Sequence, residues 1–114
     1  MQVILPSPGE LRIALHCTED ITRDIIEVAL RDIVLFDRKQ RDYGMNNISA
    51  FGEIGVIVRA QDKLARVRNL NKAFNPNAQV NNEAIEDSWA DLSVYGMIAR
   101  LCRAGKWPGS PEQT

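Results

Sequence analysis

The chain has 114 residues, of which 45% are hydrophobic and 25% charged, and its formal net charge is −1. That composition excludes disordered and membrane-embedded classes and predicts one globular domain over residues 1–114. The near-neutral balance excludes a surface built as a whole for nucleic acid, and two cysteines with a single histidine, His16, argue against a zinc or disulfide scaffold. A core of this size is modest, so assembly into a homodimer or homotetramer is expected.

In chain order, the start MQVILPSPGELRIALHC lacks a basic n-region and is broken by Pro6, Pro8 and Gly9, so it reads as neither a signal peptide nor a membrane span. A cytoplasmic protein with reduced thiols is expected, in the host cytoplasm if the chain is phage-encoded. Residues 1–17 read as an N-terminal arm, and the spacing leaves open whether Gly9 to Cys17 adds a short helix. The first long helix is predicted from about Asp20 to Arg41, capped by Thr18, with Ile25, Ile26, Ala29, Ile33 and Phe36 on one face. It ends at Asp42, Tyr43 and Gly44. A polar connector with Asn46, Asn47 and Ser49 leads to a second helix from about Ala50 to Lys72, carrying Ile54, Ile57, Val58, Leu64 and Val67. NPNAQVNN, Asn75 to Asn82, reads as a loop. The third helix runs from Glu83 to about Arg103, and residues 105–114 form a tail. No period-two pattern of any length interrupts these segments, so the fold class is all-α.

The third helix carries an acidic ladder, Glu83, Asp87 and Asp91, spaced four and four on one stripe. Like charges so placed cost an isolated helix about 0.2–0.5 kcal/mol per pair, so the run needs a cause. A bound hard cation such as Mg²⁺ or Mn²⁺ is one; a capped, solvated acidic helix start is the other, although Asp91 lies more than two turns in, beyond the reach of the dipole. On the second helix, Arg59, Asp62 and Arg66 share a stripe with Lys63 one step round. Guanidinium groups give bidentate contacts to phosphate oxygens and the carboxylate adds a metal-type oxygen; the plain alternative is an ordinary run of surface salt bridges. Lys39, Asp42 and Tyr43, in LFDRKQRDYG, place a cation, a carboxylate and a ring at a helix end, suited to a nucleotide and equally to a helix stop. Trp89 falls with Ile85 and Leu92 on an apolar face and reads as core or subunit packing, while Tyr95, one turn past Asp91, is placed to order it.

Together, LFDRKQRDYG, NNISAFGEIGVIVRAQDKLARVRNL and NEAIEDSWADLSVYGMIARL resemble the phage nucleotide modification-associated domain, a family similar to the MazG-like all-α nucleoside triphosphate pyrophosphohydrolases, over about residues 24 to 103. The resemblance implies a helical bundle assembled as a homo-oligomer and a metal-dependent hydrolysis of a nucleoside triphosphate to the monophosphate and pyrophosphate. Within the group the chain is similar to small phage enzymes that convert dGTP to dGMP for 2-aminoadenine synthesis. The family pattern has glutamates three apart on one helix and a glutamate three before an aspartate on the next. Here Ser88 stands three before Asp91 and Arg59 three before Asp62. The resemblance therefore implies Asp62 and Asp91 as metal ligands and Asp87 as a replacement, with Glu53 or Glu83 completing the set. Catalysis is expected from Asp62, Asp87, Asp91 and Glu53. Glu53 lies nine residues before Asp62, so it joins only if that helix begins late or bends at Gly55. Substrate is expected on Lys39, Asp42, Tyr43, Asn46, Asn47, Arg59, Lys63 and Arg66, with the base beside Tyr43, Asn46 and Asn47. The competing expectation is a non-catalytic helical module that grips nucleic acid or an acidic partner through the basic face from Arg59 to Lys72; the enzyme reading expects no stable nucleic-acid complex and no membrane association.

Overall fold

Ser7 opens the first helix through a reciprocal cap. Its Oγ accepts from the Glu10 amide at 3.1 Å and the Glu10 carboxylate accepts from the Ser7 amide at 3.1 Å, which closes a capping box ahead of α1, Pro8–Ala14. The helix stops in a Schellman turn: the Cys17 amide donates to the Arg12 carbonyl and the His16 amide to that of Ile13, each at 3.0 Å, with His16 left-handed at φ 59°. The stretch from Gly9 to Cys17, undecided in sequence, is thus helical to Ala14 and then a turn.

The computed structural model describes residues 2–44 and 51–108, apart from the side chain of Tyr43. Asn46, Asn47 and the tail from residue 109 lie outside the described residues. Among those described, three further helices follow, α2 Thr22–Tyr43, α3 Gly52–Asn69 and α4 Asn82–Arg103, and there is no strand. The chain is all-α. None of these helices is long and apolar enough to cross a membrane.

The boundaries have local causes. The chain enters α2 through a turn in which the amides of Thr22 and Arg23 reach the carbonyls of Glu19 and Asp20 at 3.0 and 3.2 Å. α3 stops at Asn69, short of Lys72, because asparagine side chains take over the backbone's hydrogen bonds. Asn71 Oδ1 accepts from the Ala73 amide and Asn75 Nδ2 donates to the Asn69 carbonyl, both at 2.9 Å. α4 starts where Asn81 Oδ1 accepts from the Ala84 amide at 3.0 Å. It ends in a second Schellman turn on Gly105, φ 69°, where a side chain would be strained.

The chain divides into two units, Met1–Arg38 and Lys39–Thr114, with the boundary inside α2. In the first, Arg12 Nη1 donates to the Cys17 carbonyl at 3.0 Å and ties the turn after α1. Three of the five apolar α2 residues that the spacing assigns to a core face, Ile25, Ala29 and Ile33, are exposed.

In the second unit α3 packs along α4. The pair is antiparallel: Glu53 near the start of α3 meets Arg103 at the end of α4, and Lys63 meets Asp91 further back. One stripe of α4 is buried, Ala84, Ser88, Asp91, Val94, Ile98 and Cys102, at helical spacing. Val56 and Val67 of α3, with Ala78 and Trp107 beyond the helix ends, complete the buried apolar set. Each large aliphatic side chain there contributes about 1.5–3 kcal/mol by leaving water. Ser88 enters the stripe without an unmet hydroxyl, since its Oγ donates to the Ala84 carbonyl at 2.8 Å. Of the five apolar residues assigned to the second helix, only Val67 is buried; Ile54, Ile57, Val58 and Leu64 are exposed. The face of α3 turned to α4 is that of Gly52, Val56 and Val67, and the other apolar residues lie round the helix from it. Trp89 is also half-exposed rather than part of the core.

Candidate functional site

Asp91 belongs to the buried stripe of α4, where a lone carboxylate would be costly, and it is compensated from two other helices. Lys39 Nζ, on α2, contacts Oδ1, and Lys63 Nζ, on α3, lies 3.0 Å from Oδ2. The carboxylate is only 9% exposed. Burial alone would push its pKa up, but the hydrogen bonds from Lys39 and Lys63 and their positive charge outweigh burial and hold it below the usual aspartate value.

Lys63 links this pair to the surface. Together with Arg59, Asp62, Arg66 and Tyr95 it lines an open pocket of about 330 Å³. The α3 residues stand at positions i, i+3, i+4 and i+7, which is one face of a helix, and α4 adds Tyr95 one turn beyond Asp91. Three cationic side chains and one carboxylate around a polar cavity form a receptor for an anion with several oxygens. Arginine offers a planar fork, lysine a point charge, and Asp62 an acceptor for a proton or a cation.

Other sequence-derived candidates fall elsewhere. Glu53 is in the first turn of α3 and pairs with Arg103 Nη1, 3.1 Å from Oε2 and 3.3 Å from Oε1. Arg103 lies twelve residues along α4 from Asp91, about 18 Å at the α-helical rise, so the structure does not bring Glu53 to Asp91. The helix does not begin late enough to change this, since it runs from Gly52. Glu83 and Asp87 are exposed on the outer side of α4, and Asp42 is exposed in the last turn of α2. Asn46, Asn47 and the Tyr43 side chain lie outside the described residues.

Those positions bear on the expected cation. Among the described residues no three His, Cys, Asp or Glu side chains gather where they could hold one ion. Both Asp91 oxygens are engaged by ammonium groups and the Glu53 carboxylate by a guanidinium. Among the described residues, then, Glu53, Asp62, Glu83, Asp87 and Asp91 are not gathered as a resident cation site.

Two features of the site are not evident from spacing. Tyr95, which the spacing places to order Asp91, lines the cationic pocket. The partners of Asp91, Lys39 and Lys63, are not legible from spacing, although a charged residue at helical spacing from Val94 and Ile98 signals a buried position that needs countercharge. No family model, curated protein or solved structure matches the chain.

Proposed function

We propose that the chain is a nucleoside triphosphate pyrophosphohydrolase, acting on a (d)NTP, with dGTP and GTP the first candidates, and serving phage nucleotide metabolism as a supplier of 2-aminoadenine precursors. The observation that carries this reading is the pocket of Arg59, Asp62, Lys63, Arg66 and Tyr95, which sets three cations and one exposed carboxylate on one surface.

In this reading Arg59 and Arg66 bind the β- and γ-phosphate oxygens, and Lys63, held in place by Asp91, adds charge from the inner side. A water bonds to the α-phosphorus and gives its proton to Asp62. The bridging bond between the α-phosphorus and the β-phosphate oxygen breaks, and pyrophosphate leaves with the electron pair, its growing charge met by the same cations. Mg²⁺ or Mn²⁺ would come with the triphosphate as part of the substrate and would supply further neutralisation of its charge, and Asp62 is the pocket's carboxylate that could add an oxygen to it. Asp91 acts in this scheme as a positioning residue.

The exposed Ile25, Ile33, Ile57, Leu64 and Trp89 support assembly into a homodimer or homotetramer, since a second copy covers apolar surface that one chain leaves in water. The simple binding module is less well supported. Arg68, one of the five cations of its basic face, stands 5.2 Å from the centre of the Phe74 ring, whereas Arg59, Lys63 and Arg66 converge on one pocket.

Incubating the purified protein with each nucleoside triphosphate, with and without Mg²⁺ or Mn²⁺, and resolving the products tests the proposal. Metal-dependent monophosphate plus pyrophosphate is expected. No turnover of any triphosphate overturns it.

A further inference from the structure

A second groove opens beside the cationic pocket. It has a volume of about 460 Å³ and is lined by Phe51, Ile54, Gly55, Val58, Arg59 and Asp62. Arg59 and Asp62 line both cavities, so the two adjoin along α3. One half is charged and the other apolar. Phe51 and Ile54 are 67% and 70% exposed, an arrangement that costs free energy in water unless something covers it. Gly55 lines the groove between Ile54 and Val58.

We infer that this groove receives the nucleobase, with the ring of Phe51 as its stacking surface and Arg59 at the junction where base and sugar give way to phosphate. The inference rests on the triphosphate reading of the adjoining pocket. An anion with an aromatic end is the occupant that matches both halves at once: the phosphates take the three cations, and a flat apolar ring takes Phe51, Ile54 and Val58. The distance fits as well. From Ile54 to Lys63 the helix advances nine residues, about 13 Å, comparable with an extended nucleoside triphosphate. Among the described residues the apolar half is lined by Phe51, Ile54, Gly55 and Val58, which suit the face of a base, and every base has such a face. This puts the base on α3; Asn46, Asn47 and the Tyr43 side chain, beside which residue type places it, lie outside the described residues.

Calorimetric titration of the wild-type chain, Phe51→Ala and Ile54→Ala with dGTP and with inorganic tripolyphosphate tests this. Both substituted side chains are exposed, so folding is preserved, and far-UV circular dichroism with a thermal melt checks that it is. Loss of the stacking ring is expected to weaken dGTP about tenfold. Tripolyphosphate should stay within about twofold of wild type, because it lacks the base. An equal effect on both ligands, or none on dGTP, overturns the base site while leaving the phosphate pocket standing. A changed oligomeric mass in Phe51→Ala with unchanged dGTP affinity also overturns it and makes the groove an interface between copies. If neither ligand binds the wild-type chain, the triphosphate reading itself fails.

Discussion

At one end of the α3–α4 pair Glu53 holds Arg103 across a surface that leaves the guanidinium 68% exposed; further along, Asp91 lies between two ammonium groups inside the buried stripe of α4. Both are acidic residues in ion pairs between helices, and both are expected from sequence to bind the same cation. They differ in what water can do for them. The Glu53 pair is near solvent, which screens it and would solvate either partner left alone. The Asp91 carboxylate is nearly shut off from water and depends on its two lysines, which are 39% and 29% exposed themselves, and one of them is thereby held at the edge of the cationic pocket. Burial, more than charge, separates a carboxylate that trims the surface from one that organises a site.

That contrast breaks down unless the following effects appear, in descending order. Asp91→Ala leaves Lys39 and Lys63 converging without a countercharge and should cost about 3 kcal/mol in urea unfolding. A loss no greater than that of a surface substitution would put Asp91 on the same footing as Glu53. Lys63→Ala removes one of two partners and should cost about 1–2 kcal/mol, with Lys39 left to hold the carboxylate. It should also weaken tripolyphosphate binding, which Lys39→Ala, outside the pocket, should leave closer to wild type. Glu53→Gln should cost less than about 1 kcal/mol and leave triphosphate turnover unchanged.

Acid sharpens the same distinction. The Asp91 carboxyl is held below its usual value in the folded chain, so the folded state binds fewer protons than the unfolded state near that range. Its stabilisation is complete above the ordinary aspartate pKa of about 3.9 and is lost as pH falls through the lower folded-state value. Stability measured against pH should therefore drop below about pH 4 in wild type and more gently in Asp91→Asn.

Much of this was legible in the sequence. Three long helices lie within two or three residues of their predicted positions, because caps such as Asn81 and stops such as Gly105 are local chemistry. The face of Arg59, Asp62, Lys63 and Arg66 was legible too, since helical spacing alone fixes it. The role of Asp91 was not. A ladder at positions 83, 87 and 91 and a buried stripe at 84, 88 and 91 share their last member, and spacing cannot say on which side of that boundary it falls. Its partner Lys39 is 52 positions away in sequence, set by packing and not by periodicity. The same limit applies to Ile54 and Val58: the hydrophobic pattern marks them for contact, but which surface receives them depends on where α4 lies.

The most direct measurement is turnover of dGTP by Asp62→Asn beside its thermal unfolding. Asp62 is exposed and lies in the cationic pocket, so its amide variant should melt as the wild type does while losing about 100-fold or more in kcat, the scale of a lost general base. Undiminished turnover by a normally folded Asp62→Asn would mean that the pocket on α3 is not where the triphosphate is cleaved.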